Sequence, residues 1–256
     1  MIKVLKWAFV LVVLSLLGCV VFYSLYPDIA TLKRKNPGKT AFMKYREREW
    51  KAKGKALKIQ RKWTSYSHIS PYVIKAVIIS EDDKFWSHQG FDFDAMEKAL
   101  EKDLEKGKFK FGGSTISQQL VKNLYLSPSK SPSRKLAEAV ITWRMERTLS
   151  KRRILELYLN VAEWGEGIFG VEAASLTYFG KPASSLGPEE ASRLAAVLPN
   201  PRRYKANGSA RFVERRARLI YHIMVRRGIV VEEYEEATHQ DEKESPPPAG
   251  EGEAGP

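Results

Sequence analysis

Cysteine is nearly absent from this chain: Cys19 stands alone among 256 residues. That excludes an intrachain disulfide and a thiolate zinc framework, and it leaves the redox compartment open. Strand-type alternation is scarce and no internal repeat is visible, so a sheet-built or solenoid fold is not expected. No recognised nucleic-acid motif accompanies the positive charge, and nucleic acid is not expected as a partner. Acids are in the minority, 30 against 43 lysines and arginines. They are also unevenly spread. Residues 232–256 hold nine acids and one lysine, a charge of −8, so the rest of the chain carries +21 of the total +13. So basic a body expects an anionic partner, either a membrane surface or a phosphorylated substrate.

One long uncharged run is present. Trp7 to Tyr26 covers twenty residues without a charge, enough to span a bilayer core as one helix. Trp7 at one end and Tyr23 and Tyr26 at the other suit the two interfaces. A cleaved signal would be shorter, with a small-residue site after it. Leu16-Leu17-Gly18-Cys19 resembles a lipoprotein cleavage box, but the residues after Cys19 stay apolar where a mature lipoprotein starts polar. The expected organisation is a short N-terminus (1–6), a transmembrane helix (7–26), a basic linker (27–62), a body (63–228) and an acidic, disordered tail (229–256). Residues 33–62 contain thirteen lysines and arginines against Glu47 and Glu49, a patch suited to anionic headgroups at about 1 kcal/mol per cation. A count of flanking cations alone would leave the body in the cytoplasm, but that rule is weak for long translocated domains.

The body reads as mainly helical. Ser70-Pro71 has the form of an N-cap followed by proline, with Val73, Ile74, Val77 and Ile78 as the buried stripe of a helix ending near Ser80. Thr115 and Gln118 have capping-box spacing before Ile116, Leu120 and Leu124. Leu136, Val140 and Trp143 read as the stripe of the next helix, and Ile154, Leu155 and Tyr158 as another. Gly187-Pro188 opens a helix closed by Asn200-Pro201. Ser209 reads as the cap of the last one, with Phe212, Val213, Leu219, Ile220 and Ile223 inside and Gly228 as its stop.

Chemistry is concentrated in two acidic blocks and the polar stretch between them. Glu81, Asp82 and Asp83 stand at a helix C-terminus, where the dipole disfavours them. Phe85 and Trp86 nearby could lower the local dielectric and raise a carboxylate pKa toward that of a useful base. The alternative is a solvated acidic turn. Ser114 and Thr115 mark a helix start, where exposed N–H groups attract anions. Gln118, Gln119, Lys122 and Asn123 are an expensive set to bury without a ligand, with Gln118 and Lys122 on one face. Arg134 and Glu138 are also four apart, with Lys130 and Lys135 adding positive charge. Paired acids are common in sugar chemistry, and cations beside them suit a phosphate leaving group.

Together these blocks are far more specific. Glu81-Asp82-x-x-Phe85-x-x-His88-x-Gly90-x-Asp92, then Gly113-Ser114-Thr115-Ile116-Ser117-Gln118-Gln119-x-x-Lys122-Asn123, then Arg134-Lys135-x-x-Glu138 match in order the motifs of the peptidoglycan glycosyltransferases. Lys151-x-x-Ile154-Leu155-Glu156-x-Tyr158-Leu159-Asn160 resembles their fourth motif. Gly167 to Ala174 with Tyr178-Phe179-Gly180-Lys181 resembles the fifth. The likeness covers about 63–225, with no transpeptidase partner domain, so the chain resembles the monofunctional members.

That resemblance implies a mainly α, lysozyme-like lobe with a smaller membrane-proximal lobe behind one transmembrane helix. It implies polymerisation of lipid II into β-1,4 glycan with inversion, on the outer face of the bacterial inner membrane. Lipid II and the growing lipid-linked strand would be the substrates, with division or elongation machinery as protein partners. Glu81 would be the base. Lys122, Arg134 and Lys130 would hold the pyrophosphate. Lys130 stands where some relatives carry arginine, so it keeps the charge but loses the bidentate fork. Ser114, Gln118, Gln119, Asp82 and Phe85 would line the substrate site. Glu138 would orient cations, assist the leaving group or bind a metal. No motif requires a cofactor, though a divalent cation, Mg²⁺ or Mn²⁺, would fit carboxylate and pyrophosphate oxygens. Tyr158, Asn160 and His88 read as scaffold, Glu156 as a structural acid, and Gly165 and Gly167 as turn formers. The segment 93–111, with Phe109 and Phe111 among lysines, would approach the lipid. Two other readings are weaker. A lytic enzyme would need no pyrophosphate cations, and Ser127-Pro128-Ser129-Lys130 lacks the other elements of a penicillin-binding site.

Overall fold

The structure, a computed structural model, describes residues 2–106, 113–129 and 131–230. The first helix, α1 (Ile2–Leu25), is uninterrupted by charge over its apolar length and is long and apolar enough to cross a membrane. Its apolar side chains are largely exposed, Leu5 at 76 % and Phe9 at 70 %, as a lipid-facing helix requires. It runs alongside α6 (Pro132–Thr148). Arg144 of α6 donates to the carbonyls of Tyr23 and Leu25 at 2.9 and 3.3 Å, taking up acceptors that a helix end leaves free.

The stretch expected as a linker is folded. Ile29 and Leu32 are buried, and α2 (Ala41–Ala52) follows with Met43 and Trp50 in the core. Thr40 caps α2, accepting from the Met43 N–H at 3.2 Å. Arg153 pins the preceding turn through the carbonyls of Leu32 and Lys35 and the side chain of Asn36. Met43 and Trp50 are seven residues apart, two turns on one face, while Lys44, Arg48 and Lys51 are exposed and Arg46 turns in to Glu163. The charge density hid a short amphipathic helix.

The remaining helices are α3 (Pro71–Glu81), α4 (Phe93–Lys106), α5 (Ile116–Tyr125), α7 (Lys151–Val161), α8 (Val171–Phe179), α9 (Pro188–Val197) and α10 (Arg211–Arg226). α5 lies among α2, α6 and α7, while α9 packs between α3 and α10. Three short strands form one small sheet of order β1 (Gln60–Arg61), β3 (Ile168–Phe169), β2 (Glu163–Gly165). β1 pairs parallel to β3, with Gln60 opposite Ile168, and β2 pairs antiparallel to it. Gly165 is obligatory here, since a Cβ would lie 2.1 Å from the Tyr178 hydroxyl, which itself donates to the Trp164 carbonyl. α4 makes few helix contacts among the described residues, and its Phe93 (72 % exposed), Leu100 and Leu104 are more than half exposed.

Local signals placed most helices and misread some faces. α6 buries Ala137, Glu138, Ile141, Thr142 and Met145, not the expected Leu136, Val140 and Trp143. Its core stripe mixes Ile141 and Met145 with Ala137, Thr142 and a buried Glu138, which weakens the hydropathy signal, and Trp143 sits outside under the Arg147 guanidinium, 4.4 Å away. α10 starts after Ala210 rather than on a Ser209 cap, and Leu219 is exposed. Gly228 does stop it, at φ +63°.

Candidate active site

Ser70 precedes Pro71 as expected, but its hydroxyl donates to the Leu186 carbonyl at 2.7 Å instead of capping α3. That bond ties the start of α3 to the loop before α9, and the apolar face Val73–Val77 fixes its roll. Glu81 then falls on the last turn, with its side chain 11 % exposed. Three groups hold its carboxylate. Ser80 Oγ donates to Oε1 at 3.1 Å, Gln119 Nε2 donates to Oε2 at 3.1 Å, and Arg216 Nη2 of α10 lies 3.7 Å from Oε1. Arg216 also donates to the Ser80 carbonyl and hydroxyl. The expected aromatic shell is elsewhere. Phe85 is fully buried beneath the Lys151 ammonium, and Trp86 is half exposed. Phe85 is a core residue with no face toward the site.

The acids after Glu81 act on neighbouring elements. Asp82 sits at the positive end of α5, where Oδ2 accepts the Ile116 N–H at 2.8 Å. Both its oxygens face His88 Nε2, at 2.9 and 3.0 Å. Since the Gly90 N–H donates to His88 Nδ1, that ring carries its proton on Nε2 and gives it to Asp82. Asp83 pairs with Arg227. Asp82 therefore joins three segments from within. Asp82→Ala should lower unfolding free energy by about 1.5–3 kcal/mol, the scale of hydrogen bonds to a charged group. Urea denaturation in detergent measures it, and a loss below about 0.5 kcal/mol would exclude this joining role.

The capping box of α5 is present: Gln118 N–H donates to Thr115 Oγ1, and Thr115 N–H to Gln118 Oε1. Gln118 is thereby buried in the cap, and its neighbour Gln119 is the glutamine that reaches Glu81. Lys122, one turn on from Gln119, makes no ion pair or hydrogen bond through its ammonium among the described residues. Burial pushes its pKa below the usual 10.5. Glu138 opposes that fall, Arg134 and Lys135 add to it, and Glu81 opposes it weakly. Lys122 thus sits in the fields of all four.

On α6, capped by Ser131 at the Arg134 N–H, the Glu138 carboxylate is buried. Its Oε2 accepts from Arg134 at 2.5 Å and its Oε1 from Lys135. Both oxygens of Glu138 are thus held by cations. Among the described residues no cluster of three or more acids, histidines or cysteines could hold an ion. Lys130 lies outside the described residues.

Two hollows meet at Gly113 and Ser114. One, about 260 Å³, is lined by Ser80, Glu81, Asp82 and Thr115. The other, about 460 Å³ and more apolar, is lined by Met96, Leu100, Gln118 and Lys135. Ser114 faces both. A third, about 250 Å³, lies where Gln119, Lys122, Asn123 and Tyr158 face Arg46 and Glu163. Sequence reasoning missed Arg216 and the Arg46–Glu163 pair, which comes within 2.7 Å. The one sign of Arg216 was a charge inside the apolar stripe Val213, Ala217, Ile220. Tyr158 and Asn160 do brace the core. Asn160 exchanges hydrogen bonds with the Thr64 backbone, and Glu156 pairs with Arg153.

A helical body that sets a partly buried carboxylate near a desolvated lysine and an arginine–glutamate pair has the parts of a sugar-transferring enzyme. The transglycosylase family profile matches residues 50–225, and the chain belongs to that family. The match starts at Trp50, in line with its place in the core. The most similar curated relatives include proteins named biosynthetic peptidoglycan transglycosylase. That of Aromatoleum aromaticum is 50 % identical over 216 residues, 82 % of this chain and 94 % of the relative. That of Methylobacillus flagellatus is 47 % identical over 220 residues, covering 86 % and 96 %. That of Nitrosospira multiformis is 50 % identical over 185 residues, covering 72 % and 80 %.

Proposed function

We propose that this protein is a peptidoglycan glycosyltransferase that lengthens β-1,4 glycan strands from lipid II. The observation that carries the reading is a grouping on three helices: Glu81 held by Gln119, Lys122 one turn on from Gln119 with no ion pair among the described residues, and the buried Glu138 with Arg134. In this scheme the growing strand is the donor, held through its lipid pyrophosphate, and lipid II is the acceptor. The acceptor 4-hydroxyl oxygen attacks the donor anomeric carbon, and its proton passes to Glu81. The bond from that carbon to the pyrophosphate oxygen breaks, and undecaprenyl pyrophosphate leaves with the electron pair. Attack opposite the leaving group inverts α to β. Lys122 and Arg134, with Lys130, meet the charge building on the pyrophosphate. Glu138 orients Arg134 and Lys135, which its two oxygens already hold.

On this reading α1 anchors the chain in the bacterial inner membrane, with the body on its outer face. The bare apolar row of α4, Phe93, Leu100 and Leu104, supports contact between that edge and lipid. Phe109 and Phe111, expected to share in it, lie outside the described residues. The likeness of the relatives' names supports the polymerase over a lytic enzyme. Purified full-length protein in detergent, given lipid II alone, should yield glycan polymer and free undecaprenyl pyrophosphate, and leave finished sacculi intact. Muropeptide release from sacculi with no polymer from lipid II would replace this reading with lysis. Parallel reactions with Mg²⁺, Mn²⁺ or chelator measure any cation requirement.

A further inference from the structure

The Tyr158 hydroxyl is fully buried in α7 and donates to Gln119 Oε1 at 3.1 Å. Gln119 Nε2 in turn donates to Glu81 Oε2 at 3.1 Å, and its nearest other acceptor is the Ser114 carbonyl at 3.5 Å. The direction of this chain is fixed by chemistry. An ionised carboxylate only accepts, so Gln119 must turn its NH₂ toward Glu81 and its carbonyl toward Tyr158. Tyr158 must then donate. Burial, with the Glu81 and Asp82 charges adding to it, holds the phenol pKa well above 10, so the donor proton stays in place throughout the working pH range. Without that hydroxyl, Gln119 Oε1 has no donor among the described residues, and the amide is free to rotate its oxygen toward Glu81.

We infer that Tyr158 is a positioning residue for the reaction: acting through Gln119, it aims the Glu81 carboxylate. The inference rests on the proposed role of Glu81 as base. Gln119 anchors one oxygen of Glu81 from α5, and Tyr158 anchors Gln119 from α7, so three helices fix one carboxylate. A base misplaced by about 1 Å loses on the order of 10²-fold in rate, whereas substrate binding by remote groups is untouched. Loss of Tyr158 should therefore appear in kcat and not in KM.

The test is a double-mutant cycle on full-length protein in detergent, with purified lipid II as substrate. Tyr158→Phe should lower kcat about tenfold or more and change KM for lipid II less than twofold. Gln119→Leu should lower kcat at least as far. In the Gln119→Leu background, Tyr158→Phe should change kcat less than twofold, because the residue it acts through is gone. Thermal melts confirm folding, and Tyr158→His, which can still offer an N–H, serves if the phenylalanine variant does not fold. Independent, multiplying losses, or a change confined to KM, would overturn the inference. A Glu81→Gln enzyme with native turnover would instead overturn the base assignment beneath it, so the two failures are distinguishable.

Discussion

Glu81→Gln leaves a folded protein that polymerises lipid II about 10²–10⁴ times more slowly than the native enzyme, the worth of a positioned general base. Glutamine has the shape of glutamate, so the apolar face of α3 and the Ser70–Leu186 tie are untouched. Around the side chain two donors, Ser80 Oγ and Gln119 Nε2, now compete for one carbonyl oxygen. Arg216, 3.7 Å away, loses its nearest negative charge but keeps the Ser80 carbonyl and hydroxyl. These are small local changes, and circular dichroism and the melting temperature should stay near native. The rate falls because the amide cannot take the proton from the attacking hydroxyl. Polymer length by gel and release of undecaprenyl pyrophosphate both report it. Native turnover in a folded Glu81→Gln protein would remove the base from the scheme.

How much of this was legible beforehand depends on how local each signal was. The capping box of α5 involves Thr115 and Gln118 within one turn, and it formed as read. Proline at the first position of α3 and glycine after α10 acted the same way. The charged stretch before Trp63 concealed α2, because two buried side chains seven residues apart are outweighed in any average by the cations around them. The face of α6 was misjudged because its core contacts mix Ile141 and Met145 with alanine, threonine and a buried glutamate. Which of two adjacent glutamines faces Glu81 is set by a 100° step of helix roll, and α2, α6 and α7 together fix that roll. Arg216 arrives from a helix 135 positions away in sequence from Glu81, at a range no local pattern reaches. The motif blocks pointed to the region. Tertiary packing gave its members different tasks: Phe85 went to the core, while Asp82 and Gln118 hold the scaffold and also edge the hollows.

Lys122→Met separates function from stability in the opposite sense to an ordinary core substitution. Burial holds the Lys122 ammonium below its usual 10.5, so folding disfavours its charged form. The sign follows. At a pH below the folded-state pKa the lysine is charged in both states, and the full desolvation penalty weighs against the fold. As pH rises from that value toward 10.5 the folded protein sheds the proton first, and the penalty fades. Methionine fills much the same volume with no charge to desolvate. The variant should therefore melt at or above the native temperature at neutral pH, with its advantage shrinking under alkaline conditions. Its polymerisation rate should nevertheless fall about 10²–10³-fold, as when one group aimed at developing charge is removed. A cation kept half-buried without a partner among the described residues, at a cost to the fold, is expected only where a ligand supplies the missing anion. Lys122→Met that polymerised at the native rate, or that unfolded readily at neutral pH, would make Lys122 a scaffold residue and take the pyrophosphate from its place beside Glu138.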